Sequence, residues 1–128
     1  MSVENKPGHI VWIDQTSKNA TEVKEFYTQV AGWSAEPVKV NDYHDYNMVP
    51  PGEEDPTAGI CHARSVNADL PVGWLIYIQV EDLDASMAAC KKLGGDVVAG
   101  PKGMGGKSRY CVIKDPAGAV AALFDPGS

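Results

Sequence analysis

The sequence predicts an α+β fold. Two βαβββ modules share one domain, their strands forming a curved mixed sheet shaped as a cup with the helices packed outside. Three observations predict it. The order strand, helix, strand, strand, strand is legible twice along the chain. The two helix caps, Asn19 and Asp82, stand 63 positions apart, and the same shift lays Trp12 on Leu75, Phe26 on Ala89, Val30 on Leu93 and Gly32 on Gly95. One such unit cannot close a core alone, whereas two can. Finally, 128 residues with 44% hydrophobic and 22% charged content suffice for one core without staples, while Gly 13 and Pro 9 would break any long coiled coil.

Residues 1–7 read as a leader closed by Pro7-Gly8, and residues 8–128 as the single domain, with module one at about 8–66 and module two at about 72–126. His9 to Gln15 is rich in branched and aromatic residues and predicts the first strand. Thr16 to Asn19 reads as a polar turn. Asn19 with Glu22 three positions later predicts a helix start. Val23, Phe26, Tyr27 and Val30 then repeat at i, i+3, i+4 and i+7, and Gly32 is a stop. Pro37–Val40 and Tyr43–Val49 read as strands, Pro50–Pro56 as a loop, Thr57–Ala63 as a short strand, and Arg64–Gly73 as a polar connection.

The second module opens with the strongest strand, Trp74 to Val80. Asp82 caps a helix carrying Leu83, Met87, Cys90 and Leu93 on one face, ended by Gly94-Gly95. Val97–Ala99 is a strand, Gly100–Lys107 a glycine-rich loop, Arg109–Lys114 a strand, Asp115–Gly118 a tight turn and Ala119–Phe124 the last strand.

Charge and composition exclude several function classes. A net charge of −6 argues against a nucleic-acid or anionic-membrane partner. No stretch nears the roughly 20 apolar residues of a membrane span. The first residues hold no apolar segment of the secretory kind. Cys61, Cys90 and Cys111, an odd and widely spaced set, do not form a disulfide framework, and a reducing cytoplasm is the expected location.

Period-2 alternation divides the strand faces. Val11, Ile13, Ile76, Ile78, Val80, Ala121 and Leu123 suit the helix side. Trp12, Asp14, Leu75, Tyr77, Gln79, Tyr110, Val112, Ala122 and Phe124 then line the cup, which reads as an apolar, aromatic small-molecule site with few polar anchors. His62 is a further candidate for that site. Asp14 could serve as a base or meet a cationic ligand, or simply hydrogen-bond to its surroundings. Trp12 and Tyr77 could stack on a planar or cationic ligand, or fill the core. Gly100–Ser108 looks like a phosphate loop but has Pro101 where glycine is needed and a strand where a helix must follow. A lid over the cup is its remaining functional reading. His9, His44 and His62 show no zinc spacing, and the three cysteines read as structural.

The segments Trp74–Ala85, Lys92-Leu93-Gly94-Gly95 and Lys114–Gly118, with Glu25-Phe26-Tyr27 and Ala31-Gly32-Trp33 in the first half, resemble the vicinal oxygen chelate superfamily. That group includes glyoxalase I, extradiol dioxygenases, and fosfomycin- and bleomycin-resistance proteins. The resemblance runs from about His9 to Pro126 and implies the two-module fold. It also implies a divalent metal held by His, Glu or Gln from both modules. The implied ligand positions fall on Trp12, Leu75 and Ala122, none of which can bind a metal, and on a fourth site near Ile60, Cys61 or His62. No metal and no cofactor is therefore expected. The resemblance further implies a homodimer. The function expected is a metal-independent small-molecule binder of the glyoxalase/bleomycin-resistance type using the aromatic cup. The alternatives are a metal-dependent lyase or dioxygenase with atypical ligands such as His62 and Asp14, and a degenerate member with a filled cup that binds a protein.

Overall fold

The computed structural model describes residues 6–40, 42–64, 68 and 70–127. Residues 1–5 of the predicted leader and four positions of the Arg64–Gly73 connection lie outside them. The elements follow the predicted α+β order: β1 (Ile10–Ser17), α1 (Ala20–Ala31), β2 (Ser34–Val40), β3 (Tyr43–Val49), β4 (Ala58–His62), then β5 (Trp74–Gln79), α2 (Leu83–Lys92), β6 (Asp96–Gly103), β7 (Arg109–Lys114) and β8 (Val120–Asp125). Neither helix is long and apolar enough to cross a membrane.

The chain divides into two compact units. One runs from Ile13 to Trp74, and the other gathers the residues up to Trp12 with those from Leu75 onward. In the first unit the strand order is β2-β3-β4-β1. β1 runs parallel to β4, and β3 is antiparallel to both β4 and β2. Thr16 and Ser17 belong to this ladder, opposite Cys61 and His62, rather than to a turn. Their backbone groups are satisfied by pairing, and both side chains are buried.

α1 packs on one face of this sheet. Ala20, Met48 and Ile60 are fully buried together, with Val23 and Tyr27 against them. The buried stripe is thus Ala20, Val23 and Tyr27, rotated from the predicted one. Phe26 and Val30 remain 55% and 66% exposed. Asn19 occupies the N-cap position without a side-chain capping hydrogen bond, and Gly32 ends the helix at φ 75°.

In the second unit the order is β5-β8-β7-β6. β5 is parallel to β8, and β7 is antiparallel to β8 and β6. The incoming chain pairs along β5, where Gly8 N donates to Gln79 O and Gln79 N donates to His9 O. α2 buries Leu83 against Cys111 and Leu123, with Met87 and Ile78 alongside. Full burial of a Leu, Ile or Met side chain contributes about 1.5–3 kcal/mol, so Leu83 anchors this unit as Ile60 and Met48 anchor the first. The helix ends at Lys92, which leaves Leu93 outside the stripe and 73% exposed.

β6 is longer than predicted. Lys102 pairs with Tyr110 and Gly103 with Arg109, so half of the predicted glycine-rich loop is strand, with irregular register around Ala99. Gly100 is required there because a Cβ would meet Tyr110 O at 2.9 Å. Only residues 104–108 form the hairpin tip, closed by Met104 N donating to Ser108 O.

Candidate functional site

Register fixes which side chains share a face, since paired residues point to the same side. In the second unit Tyr77 and Val112 both register with Ala122, and Gln79 and Tyr110 both register with Phe124. Ile78, Cys111, Ile113 and Leu123 alternate to the α2 side. Tyr77, Gln79, Tyr110, Ala122 and Phe124 therefore share the helix-free face, with Leu75 continuing it by alternation. The Tyr77 and Tyr110 rings lie 6.1 Å apart with their planes tilted by 46°. Gln79, Tyr110 and Leu75 are buried, and Val112 and Ala122 fully so.

In the first unit Asp14 registers with Gly59, Asn47 registers with Gly59, and Thr16 registers with Cys61. These residues share the face away from α1, because Ile60, Met48 and Ala20 pack on the other. Asp14 is buried at 8% exposure. Alternation along β1 puts Trp12 on the Asp14 side.

His62 does not join them. It registers with Ser17 and lies two residues beyond Ile60, so it stands on the α1 side of β4. There its ring meets Tyr43 at 5.5 Å and Tyr46 at 6.3 Å. Cys61 takes the place predicted for it. Sequence alone could not distinguish the two, because neighbouring strand residues face opposite sides and one step of register exchanges them.

Cys61, which the sequence alone marks as structural or as a candidate for the fourth position, lies beside Asp14 and also beside Asp45, which the sequence does not single out as a site residue. Burial pushes the Cys61 thiol well above the ordinary value, and the Asp14 and Asp45 charges and a hydrogen bond to Asp45 push it further. Asp45 Oδ1 also accepts a hydrogen bond from His62 N at 2.8 Å. The protonated Cys61 is a donor to carboxylate and not a nucleophile. Burial likewise pushes the Cys111 thiol up to about 11.

The donor set for a metal can now be tested position by position. The 63-residue shift carries Ala122 onto Gly59, and the ladders agree, since Tyr77 pairs with Ala122 as Asp14 pairs with Gly59. By this correspondence Gly59, rather than Ile60, Cys61 or His62, is the counterpart of Ala122. Trp12, Gly59, Leu75 and Ala122 offer no oxygen, nitrogen or sulfur ligand suited to a divalent ion. These residues do not fit the metal. Asp14 and His62, on opposite sides of the β1–β4 pair, cannot replace them by holding one ion together. Among the described residues no three His, Cys, Asp or Glu side chains come together as a metal-holding group.

Comparison with known proteins agrees with the fold. The chain is 26% identical over 122 residues to the Mycobacterium tuberculosis protein named "Putative glyoxylase CFP32", covering 95% of this chain and 46% of that protein. It is 27% identical over 132 residues to the anthracycline biosynthesis protein DnrV of Streptomyces peucetius, covering 94% and 48%. The chain spans about half the length of the curated relatives it matches. Among solved structures, the methylmalonyl-CoA epimerase of Mycobacterium tuberculosis superposes with a TM-score of 0.55 at 20% identity, covering 99% of this chain and 95% of that one. The family model described as "Glyoxalase/Bleomycin resistance protein/Dioxygenase superfamily" matches residues 7–123. That match spans nearly the whole chain, which belongs to this superfamily.

Proposed function

We propose that this protein binds a small aromatic or amphipathic molecule without a resident metal, using the helix-free strand faces. The observation that carries the reading is the loss of donor side chains at all four implied ligand positions, Trp12, Gly59, Leu75 and Ala122. What stands beside them is aromatic and amide chemistry: the Tyr77 and Tyr110 rings, 6.1 Å apart, and the buried Gln79. Rings stack on a planar ligand, and an amide fixes its orientation by donating and accepting at once. The name of the relative DnrV, an anthracycline biosynthesis protein, fits a planar polycyclic ligand. The same reading takes the protein as a cytoplasmic homodimer, with Cys61, Cys90 and Cys111 as free thiols in a reducing compartment.

The test is metal content by mass spectrometry on protein purified without chelator, with thermal shifts over Ni, Zn, Co, Mn and Fe(II). A ligand specific for the folded state at 100 times its Kd stabilises by about 2.7 kcal/mol, so a real metal site is visible in the melt. We expect no stoichiometric metal and no shift, and a shift with planar aromatic compounds that Tyr110→Ala weakens. One bound divalent ion per chain with a matching shift would overturn the proposal and favour a metal-dependent lyase.

A further inference from the structure

The first unit contains a cavity on the α1 side of its sheet. Its volume is about 270 Å³, and it is lined by Ile13, Trp33, Thr57, Ala58 and Trp74. Ile13 alternates with Asp14 along β1, and Ala58 registers with Met48, the residue buried under α1. Trp33 and Trp74 pack against the same Ala20–Met48–Ile60 core. The cavity therefore opens beside α1, behind the strand faces that carry Asp14 and Cys61.

Its walls define what fits. Trp33 and Trp74 stand 6.1 Å apart with their planes at 85°. Tyr27 holds both, at 5.5 Å from Trp33 and 5.4 Å from Trp74. Both indoles line the cavity, and their planes are nearly perpendicular. An incoming aromatic ring can then stack on one and meet the other edge-on, the two arrangements that the ring quadrupole favours. Among the described residues no charged side chain lines the cavity, and the Thr57 hydroxyl and the indole N–H groups are the polar side-chain groups of that lining. A dry apolar cavity of about 150 Å³ accommodates benzene, and drug-sized ligands need roughly 300 Å³ or more. The space here lies between these.

We infer that this cavity is a binding site for a neutral, flat molecule of one or two aromatic rings, separate from the site proposed above. The ligand fills the corner between Trp33 and Trp74 and covers Ile13 and Ala58. A protein partner is the poorer fit, since the recess is fragment-sized and set into the unit beside its core rather than spread along a helix.

The three tryptophans allow a direct test. The full chain is labelled with 5-fluorotryptophan, its three fluorine resonances are assigned by single Trp→Phe substitutions, and indole is titrated. The expected result is a saturable shift of the Trp33 and Trp74 resonances with Trp12 unmoved. Ala58→Leu and Thr57→Phe, which fill the cavity from its floor and its mouth, should each weaken that shift at least tenfold. Thr57 is exposed, so its substitution leaves the core intact and decides the matter if Ala58→Leu fails to fold. The inference is overturned if Trp12 alone responds, if no shift saturates below the solubility of indole, or if Thr57→Phe binds like the wild type. A response of Trp12 alone would bear instead on the site proposed above, so the two readings fail separately.

Discussion

Asp14 is registered opposite Gly59 in the parallel β1–β4 ladder, and 63 residues later Tyr77 is registered opposite Ala122 in the parallel β5–β8 ladder. The shift that aligns the helix caps therefore also aligns the central strand pairings of both units. Gly59 is thereby identified as the counterpart of Ala122. Of the four implied ligand positions, these two hold glycine and alanine, which carry no side-chain donor.

The burial of Ala122 gives a first prediction. Its side chain is 0% exposed. Ala122→Glu, which restores a carboxylate at an implied ligand position, should destabilise the fold by about 3 kcal/mol or more, because the new group is desolvated without a partner. Zinc or nickel should not restore the melting temperature, since Trp12, Gly59 and Leu75 still offer no ligand. Calorimetry with and without metal checks both halves.

The two helix starts should respond differently to the same truncation. Asp82 accepts a hydrogen bond from Ala85 N at 3.1 Å, whereas the Asn19 side chain makes no capping bond. Asp82→Ala should cost about 1 kcal/mol, and Asn19→Ala less than about 0.5 kcal/mol. Urea unfolding of the two variants side by side measures the difference.

Glycines offer an internal control. A Cβ on Gly95 would lie 2.7 Å from Cys90 Sγ and 2.8 Å from Lys114 O, while one on Gly103 would meet nothing within 4 Å. Gly95→Ala should therefore destabilise by about 1–3 kcal/mol, the usual range for overpacking. Gly103→Ala should stay within about 0.5 kcal/mol of the wild type by chemical denaturation.

The thiols predict a pH dependence. Burial raises Cys111 from 9.0 to about 11, and Cys61 further. Between pH 9 and 11 the unfolded chain releases protons that the folded chain keeps, so stability falls as pH rises, by about 1.4 kcal/mol per pH unit per thiol. Below pH 8 the effect vanishes. Cys111→Ala should flatten this slope relative to the wild type, as read from denaturant midpoints at several pH values. Native Cys61 should also resist alkylation at pH 8 until the chain unfolds.

Much of the site face was legible from residues near one another in sequence. Alternation within Trp74–Gln79 and Arg109–Lys114 put Tyr77, Gln79, Tyr110 and Val112 on one side, and the α2 core of Leu83, Cys111 and Leu123 agrees. The turn at Asp115–Gly118 and the caps at Asn19 and Asp82 were equally local, because backbone conformation there is dictated by a few adjacent residues. The stripe of α1 was not. Val23, Phe26, Tyr27 and Val30 have the right spacing, but the face that meets the sheet is the one that packs with Met48 and Ile60, residues distant in sequence.

The sequence by itself determined the element order, the twofold repeat, the family and the absence of ligand side chains at Trp12, Leu75 and Ala122. Only the tertiary structure decided that Gly59 is the counterpart of Ala122, that Cys61 rather than His62 stands beside Asp14, and that Trp33 and Trp74 meet at a right angle around a cavity. The physical reason is the same in each case. Alternation fixes the relative sides of residues within one strand, but β4 joins β1 through hydrogen bonds between residues some 45 positions apart, and a slip of one residue exchanges both faces.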